Sequence, residues 1–177
     1  MQTLVYDMQT KKWENRGNTL RTFNMVPLTY DSVNKVMLIF GADFCASCNE
    51  LWAYDVAANK WTQRSPTPDP VYGIPPGGAP GAAFDSNNGV LVLFGEGDSG
   101  GASLDTWVYN AKTNAWKRML PQTQPPITMI FAHMAYDPIN NVVFLYNSFD
   151  TWAYRYKKVS SPTDPVPPAP PTGLMIR

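Results

Sequence analysis

The sequence predicts an all-β fold built from a repeated unit of four antiparallel strands, and three observations carry that expectation. An aromatic-Asp-x-x-Asn-x-Val pattern leading into a short apolar run occurs three times. A Tyr-(Asp/Asn) pair followed after five residues by Trp is interleaved with it, also three times. Seventeen prolines and twelve glycines in 177 residues punctuate these runs into strand-length pieces.

The first pattern reads Tyr30-Asp31 through Phe40, Phe84-Asp85 through Phe94, and Tyr136-Asp137 through Tyr146. Its aspartates fall at 31, 85 and 137, steps of 54 and 52. A period near fifty marks a supersecondary unit rather than a local coincidence. Gly41 and Gly95 close the first two copies, and Asn147 stands in that place in the third. The second pattern runs Tyr6-Asp7 to Trp13, Tyr54-Asp55 to Trp61 and Tyr109-Asn110 to Trp116. The approach to its tyrosine repeats as Leu51-Trp52-Ala53-Tyr54, Thr106-Trp107-Val108-Tyr109 and Thr151-Trp152-Ala153-Tyr154.

Each piece has a physical reading. Val36 to Phe40, Val90 to Phe94 and Val142 to Tyr146 are continuous apolar runs bounded by turn residues, as expected of second strands buried on both faces. The Asp-x-x-Asn stretch before each run bonds its own backbone and tolerates left-handed conformations, closing a tight hairpin to the short first strand. Trp-Ala-Tyr and Trp-Val-Tyr alternate large and small with period two, a third strand. The tryptophan that follows opens a more polar fourth strand. Tyr6, Trp13, Tyr54, Trp61, Tyr109, Trp116 and Tyr154 are therefore expected to be structural repeat residues.

Four antiparallel strands recurring about every fifty residues are the pattern of a propeller blade. The chain resembles the kelch-type β-propellers, including the central domain of galactose-oxidase-like proteins. The Tyr-to-Trp spacing matches that family well, while its double glycine is reduced here to Gly41 and Gly95 and missing at Asn147. The resemblance implies a kelch-like β-propeller fragment of about three blades over residues 1–158: a half blade at 1–16, blades at 25–64 and 79–120, and an incomplete blade at 131–157. Such an arc leaves two sheet faces open, which points to a piece of a longer protein or to a second copy closing the ring. Residues 159–171 read as a proline-rich extended linker. Residues 172–177 resemble the start of a fibronectin type III domain.

Composition removes several functions. Fourteen basic and fourteen acidic side chains balance, which gives no electrostatic reason to bind nucleic acid. No stretch approaches the roughly 20 apolar residues of a membrane span. The first residues lack a charged and then apolar leader. One histidine and two cysteines leave no set of imidazole or thiolate metal ligands. No metal, cofactor or catalytic set is expected within this segment. His133 stands just before the first strand of the last unit, where kelch repeats often carry a histidine, and a structural role is expected. The copper oxidases of this fold use more than one histidine, so their chemistry does not carry over.

Strand alternation sorts the connections onto two ends. Those joining first to second and third to fourth strands are short. The others, 42–50, 65–80, 96–105 and 121–130, are long and variable. Loops held on a rigid scaffold carry binding, so Phe44, Asn49, Tyr72, Asp98 and Phe149 are the candidate ligand contacts. The aromatic ones could stack on sugar rings or pack on a protein. Cys45 and Cys48 read as a small loop disulfide, with two free thiols as the alternative. A disulfide implies an oxidising compartment, hence a secreted or cell-surface location. The expected function is a non-catalytic interaction module binding protein or glycan. The alternatives are a piece of a propeller enzyme, oxidase or glycan-active, with its catalytic residues elsewhere, and an architectural subunit of a surface assembly.

Overall fold

The computed structural model describes residues 2–18, 26–41, 48–95, 104–126, 132–146 and 150–157. Over them the chain is all-β, with thirteen strands in four antiparallel sheets. The first sheet pairs β1 (Gln2–Asp7) with β2 (Lys12–Asn18). The second runs β3 (Leu28–Asp31), β4 (Val36–Phe40), β5 (Leu51–Asp55), β6 (Lys60–Arg64). The third is β7 (Gly81–Asp85), β8 (Val90–Phe94), β9 (Thr106–Asn110), β10 (Ala115–Met119). The fourth contains β11 (His133–Asp137), β12 (Val142–Tyr146) and β13 (Thr151–Tyr154). No described helix is long and apolar enough to cross a membrane.

Every sheet is an up-and-down meander, and six of the hairpins close through the same kind of turn. Six four-residue turns link β1 to β2, β3 to β4, β5 to β6, β7 to β8, β9 to β10 and β11 to β12. The carboxylate or amide that ends the preceding strand accepts backbone N–H groups two or three residues on. Asp31 Oδ1 takes those of Val33 and Asn34 at 2.9 and 3.0 Å, and Asn110 Oδ1 those of Lys112 and Thr113, both at 3.0 Å. The last residue of each turn is left-handed: Lys11, Lys35, Asn59, Gly89, Asn114 and Asn141 all have φ between 50° and 66°. A left-handed L-residue costs roughly 1–2 kcal/mol, whereas glycine gives up only about 0.5–1 kcal/mol of extra chain entropy. Lys35→Gly is therefore expected to raise the unfolding free energy by about 0.5 kcal/mol, measured by urea denaturation. Loss of stability would mean that the lysine stem makes a packing contact that outweighs its backbone strain.

The sheets stand side by side, face against face. Strand β7 packs beside β3 on one side and against β11 and β12 on the other. Leu38, Phe40, Leu51 and Ala53 of the second sheet lie against Leu91, Leu93, Trp107 and Tyr109 of the third. On its opposite face the third sheet sets Ala83, Val90, Val92 and Val108 against Val143, with Met134, Tyr136 and Tyr154 packed around them. Trp61 donates its indole N–H to Thr3 Oγ1 at 2.9 Å, joining the second sheet to the first.

The repeated Tyr and Trp are cross-strand neighbours, as their spacing requires of a four-residue turn. Tyr6 faces Trp13, Tyr54 faces Trp61 and Tyr109 faces Trp116. Their ring centroids are 5.2, 5.0 and 5.3 Å apart. Offset aromatic pairs at this distance add to simple burial. Tyr154 holds the same place on β13.

One expectation is corrected. The three apolar second strands are not equivalent in burial. All of β8 is buried, whereas β12 buries Val143 and Leu145 but exposes Phe144 and Tyr146. A strand with apolar residues on both faces is buried on both only when a sheet lies on each side. The third sheet has two such neighbours; the fourth has one among the described residues.

Candidate functional site

Two ends of the sheet row offer different chemistry. At the short-turn end, the turns of neighbouring sheets are tied to one another. Asn34 Nδ2 donates to Asp31 Oδ2 at 2.8 Å and to the Ala111 carbonyl of the next sheet at 3.2 Å. Asn88 Nδ2 repeats this, donating to Asp85 Oδ2 at 2.7 Å and to Asn141 Oδ1 of the fourth sheet at 3.2 Å. Asn87 Nδ2 reaches the Pro138 carbonyl at 2.9 Å. The left-handed asparagines serve a second purpose. Asn59, Asn114 and Asn141 accept the hydroxyls of Tyr54, Tyr109 and Tyr136 at 2.7, 3.0 and 2.9 Å. These side chains spend their polar groups on the scaffold, and this end reads as structural.

Burial shifts the tyrosines of the interface between third and fourth sheets. It pushes the Tyr154 hydroxyl up to about 12, with Tyr156 and Asp85 adding to it. Tyr136 is raised as well, by burial first and then by the Asp85 carboxylate beside it. A folded-state value above the unfolded one near 10 means stability is fully present below pH 10 and is lost as pH rises through the folded value. Alkaline titration is thus expected to leave the strand signal intact up to about pH 10 and to unfold the chain between about 10 and 12, with the last of the tyrosinate absorbance appearing as the far-UV circular dichroism is lost. Complete ionisation of all nine tyrosines with the strand signal intact would contradict it.

The opposite end carries the long connections. Gly41 N–H meets the Glu50 carbonyl at 3.1 Å, and Gly95 N–H the Asp105 carbonyl at 3.3 Å, each closing the base of a loop. Gly41 has φ +78°, and a Cβ there would collide with the Gly78 carbonyl oxygen. Only glycine fits where the 65–80 connection crosses this strand end.

That connection is clasped along the outer edge of β10. Thr67 bridges Ala115 in parallel, taking the Trp116 N–H and giving its own N–H to the Asn114 carbonyl, both at 2.8 Å. Asn114 Nδ2 donates to the Ser65 carbonyl at 3.1 Å. Asp69 anchors the bend: Oδ1 accepts the Val71 and Tyr72 N–H groups at 2.8 and 3.0 Å, and Oδ2 the Arg118 N–H at 3.2 Å. These donors hold its carboxyl below the usual value. Arg118 pairs with Asp105 and lies 4.7 Å over the Tyr72 ring. An exposed sheet edge is a template for unwanted pairing, and here the chain's own connection covers it.

Of the expected ligand contacts, Tyr72 is half-exposed at the long-connection end with one ring face engaged by Arg118. Asn49 is half-buried at the base of the 42–50 loop. Phe44, Asp98 and Phe149 lie outside the described residues, as does Cys45. Cys48 is half-buried and carries no free thiol. His133 is exposed at the start of β11, opposite Tyr146. Among the described residues no three His, Cys, Asp or Glu side chains gather as a metal site.

Sequence reasoning missed two features. The clasp depends on Asp69, Thr67 and Arg118, residues outside the repeated motifs; the Asp69-Pro70 bend was its only signal. The second is an open trough of about 410 Å³ where β3, β7 and β11 come together, lined by Thr29, Tyr30, Phe84, Ser86, Tyr136 and Pro138 among others. Several of these are the aromatic positions of the repeat, read from sequence only as strand residues. No family model matches the chain, and no curated protein matches it.

Proposed function

We propose that this chain is part of a kelch-like β-propeller and acts as a non-catalytic interaction module of a larger secreted or cell-surface protein, taking a protein or glycan ligand on its long-connection end. The observation that carries the reading is the division of labour between the two ends. Short turns lock the sheets together through Asn34, Asn88 and Asn141. The long connections differ in sequence from unit to unit, yet the one at 65–80 is held to the scaffold by Asp69 and Thr67. Rigid presentation of variable loops lowers the ordering cost of binding. The side-by-side packing of β3, β7 and β11 supports a radial arrangement of the sheets. The absence of a free thiol on Cys48 supports a Cys45–Cys48 disulfide and, with it, an oxidising location.

Glycan-array and protein-array binding of the chain tests this. Tyr72→Ala and Asn49→Ala are expected to weaken the strongest signal about tenfold or more, and Lys112→Ala, exposed on the short-turn end, to leave it unchanged. The reverse pattern would place the binding surface at the wrong end.

A further inference from the structure

We propose that the cleft between the third and fourth sheets binds the indole of a tryptophan-bearing extended segment from outside residues 1–177, which adds as a strand to the free edge of β13. The inference concerns an internal cleft and goes beyond the loop-borne binding above.

The interface between second and third sheets displays what such a cleft holds. There the Trp116 ring of the fourth strand, β10, lies 5.4 Å from Phe40 and 5.3 Å from Tyr109. Strand β10 runs between β9 and the 65–80 connection, whose Thr67 carbonyl takes the Trp116 N–H. One repeat later, Phe94 stands in the place of Phe40, Tyr154 in that of Tyr109 and Trp152 in that of Trp107. The connection after β10 stands in the place of 65–80. The fourth sheet has no strand beyond β13 among the described residues. At the position that corresponds to the Trp116 ring lies a slot lined by Phe94, Tyr154 and Trp152 on the sheets and by Pro121, Thr123 and Pro125 on the connection. The walls of the Trp116 site are thus repeated, and the strand that would carry the ring is not. The slot measures about 60 Å³, less than an indole, so a ring enters it from the side of the strand edge. Trp107 and Tyr109 are 4% and 1% exposed beside their fourth strand, whereas Trp152 and Tyr154 are only half-buried.

The chain runs on past β13 without supplying that strand. Arg155 replaces the Asp or Asn that opens the turn after Tyr6, Tyr54 and Tyr109. Its guanidinium donates to the Asn140 and Asn141 carbonyls at 3.1 and 3.3 Å, and the Lys157 carbonyl takes the Asn141 amide at 3.4 Å. These bonds lead residues 155–157 across the turn between β11 and β12 instead of back along β13. Residues 155–177 contain no tryptophan. Their one aromatic, Tyr156, is already packed against the cluster around Val143. The occupant is therefore an incoming extended segment whose tryptophan falls opposite Tyr154, as Trp116 falls opposite Tyr109. Strand addition suits this site, because backbone bonds to the sheet edge give affinity and the side-chain slot gives specificity.

The probe is a fluorescein-labelled synthetic peptide with the sequence of residues 111–120, this chain's own fourth strand, titrated with the 177-residue chain and read by fluorescence anisotropy. The same peptide with Trp116→Ala is expected to bind at least tenfold more weakly. Thr123→Trp in the chain, an exposed position on the slot wall, fills the slot and is expected to weaken binding of the unaltered peptide by a similar factor. Far-UV circular dichroism checks that this variant keeps its strands. A second readout needs no variant of the slot: in chain labelled at its methionine methyls, the Met134 signal, on the slot wall, is expected to shift on adding the unaltered peptide. That of Met8, 79% exposed in the first sheet's turn, is expected to stay. A peptide that does not bind, that binds equally well without its tryptophan, or that leaves Met134 unmoved overturns the proposal. A Met134 signal that already moves with the concentration of the chain alone overturns it too, since a second copy would then occupy the slot.

Discussion

Trp116→Ala is expected to lower the unfolding free energy by about 3–5 kcal/mol, while Trp13→Ala, the same repeat position, is expected to change it by less than about 1 kcal/mol. Trp116 is buried between second and third sheets, with its ring 5.4 Å from Phe40 and 5.3 Å from Tyr109. Removing the indole leaves a cavity that the flanking sheets cannot close without breaking the bonds of Asn34 to the Ala111 carbonyl and of Asn114 to the Ser65 carbonyl. Trp13 faces Tyr6, with ring centroids 5.2 Å apart, and is 69% exposed. Urea denaturation of the two variants separates the two effects. Equal losses at the two positions would show that the cross-strand Tyr–Trp pair, and not the packing of sheets, holds the fold.

Asp85→Ala is expected to cost about 3–5 kcal/mol, and Asp137→Ala, again the same repeat position, about 1 kcal/mol. Asp85 is buried and accepts the Asn88 N–H at 2.9 Å and the Asn88 amide at 2.7 Å, with the Tyr136 hydroxyl beside it. Its loss strands buried donors and releases the Asn88 clamp on Asn141, so the third and fourth sheets part at the short-turn end. Bonds to a charged acceptor are worth roughly 1.5–3 kcal/mol each, and donors left buried without a partner cost more than the bond was worth. Asp137 makes the same local bonds to Ile139 and Asn140, but its turn is open to water, which replaces them. Asp85→Asn, which keeps an acceptor oxygen, is expected to recover about half the loss. Thermal or chemical denaturation of the three variants decides it; an Asp137 effect as large as that of Asp85 would mean that the turn matters and the clamp between sheets does not.

These paired contrasts show where sequence reading stops. The Tyr-to-Trp spacing forces a cross-strand pair because a four-residue turn places the two residues opposite each other, and all three pairs form. The Asp-x-x-Asn turns are equally local, since a carboxylate two or three residues from its donors needs no distant partner. The expected ligand residues were less legible. Tyr72 was read as a free aromatic, but half of its ring is taken by Arg118, forty-six positions further along the chain. The Thr67 and Asp69 contacts to β10 likewise join residues about fifty positions apart, outside any repeat.

By itself the sequence determined strand positions, turn type, the meander within each sheet and the repeat that makes the sheets alike, because each follows from interactions reaching only a few residues. Tertiary structure alone decided which of those like sheets is enclosed, that Val92 is buried while Phe144 is bare, and that the 65–80 connection seals an edge. Burial belongs to whatever stands on the other side of a sheet, and identical motifs carry no information about their neighbours.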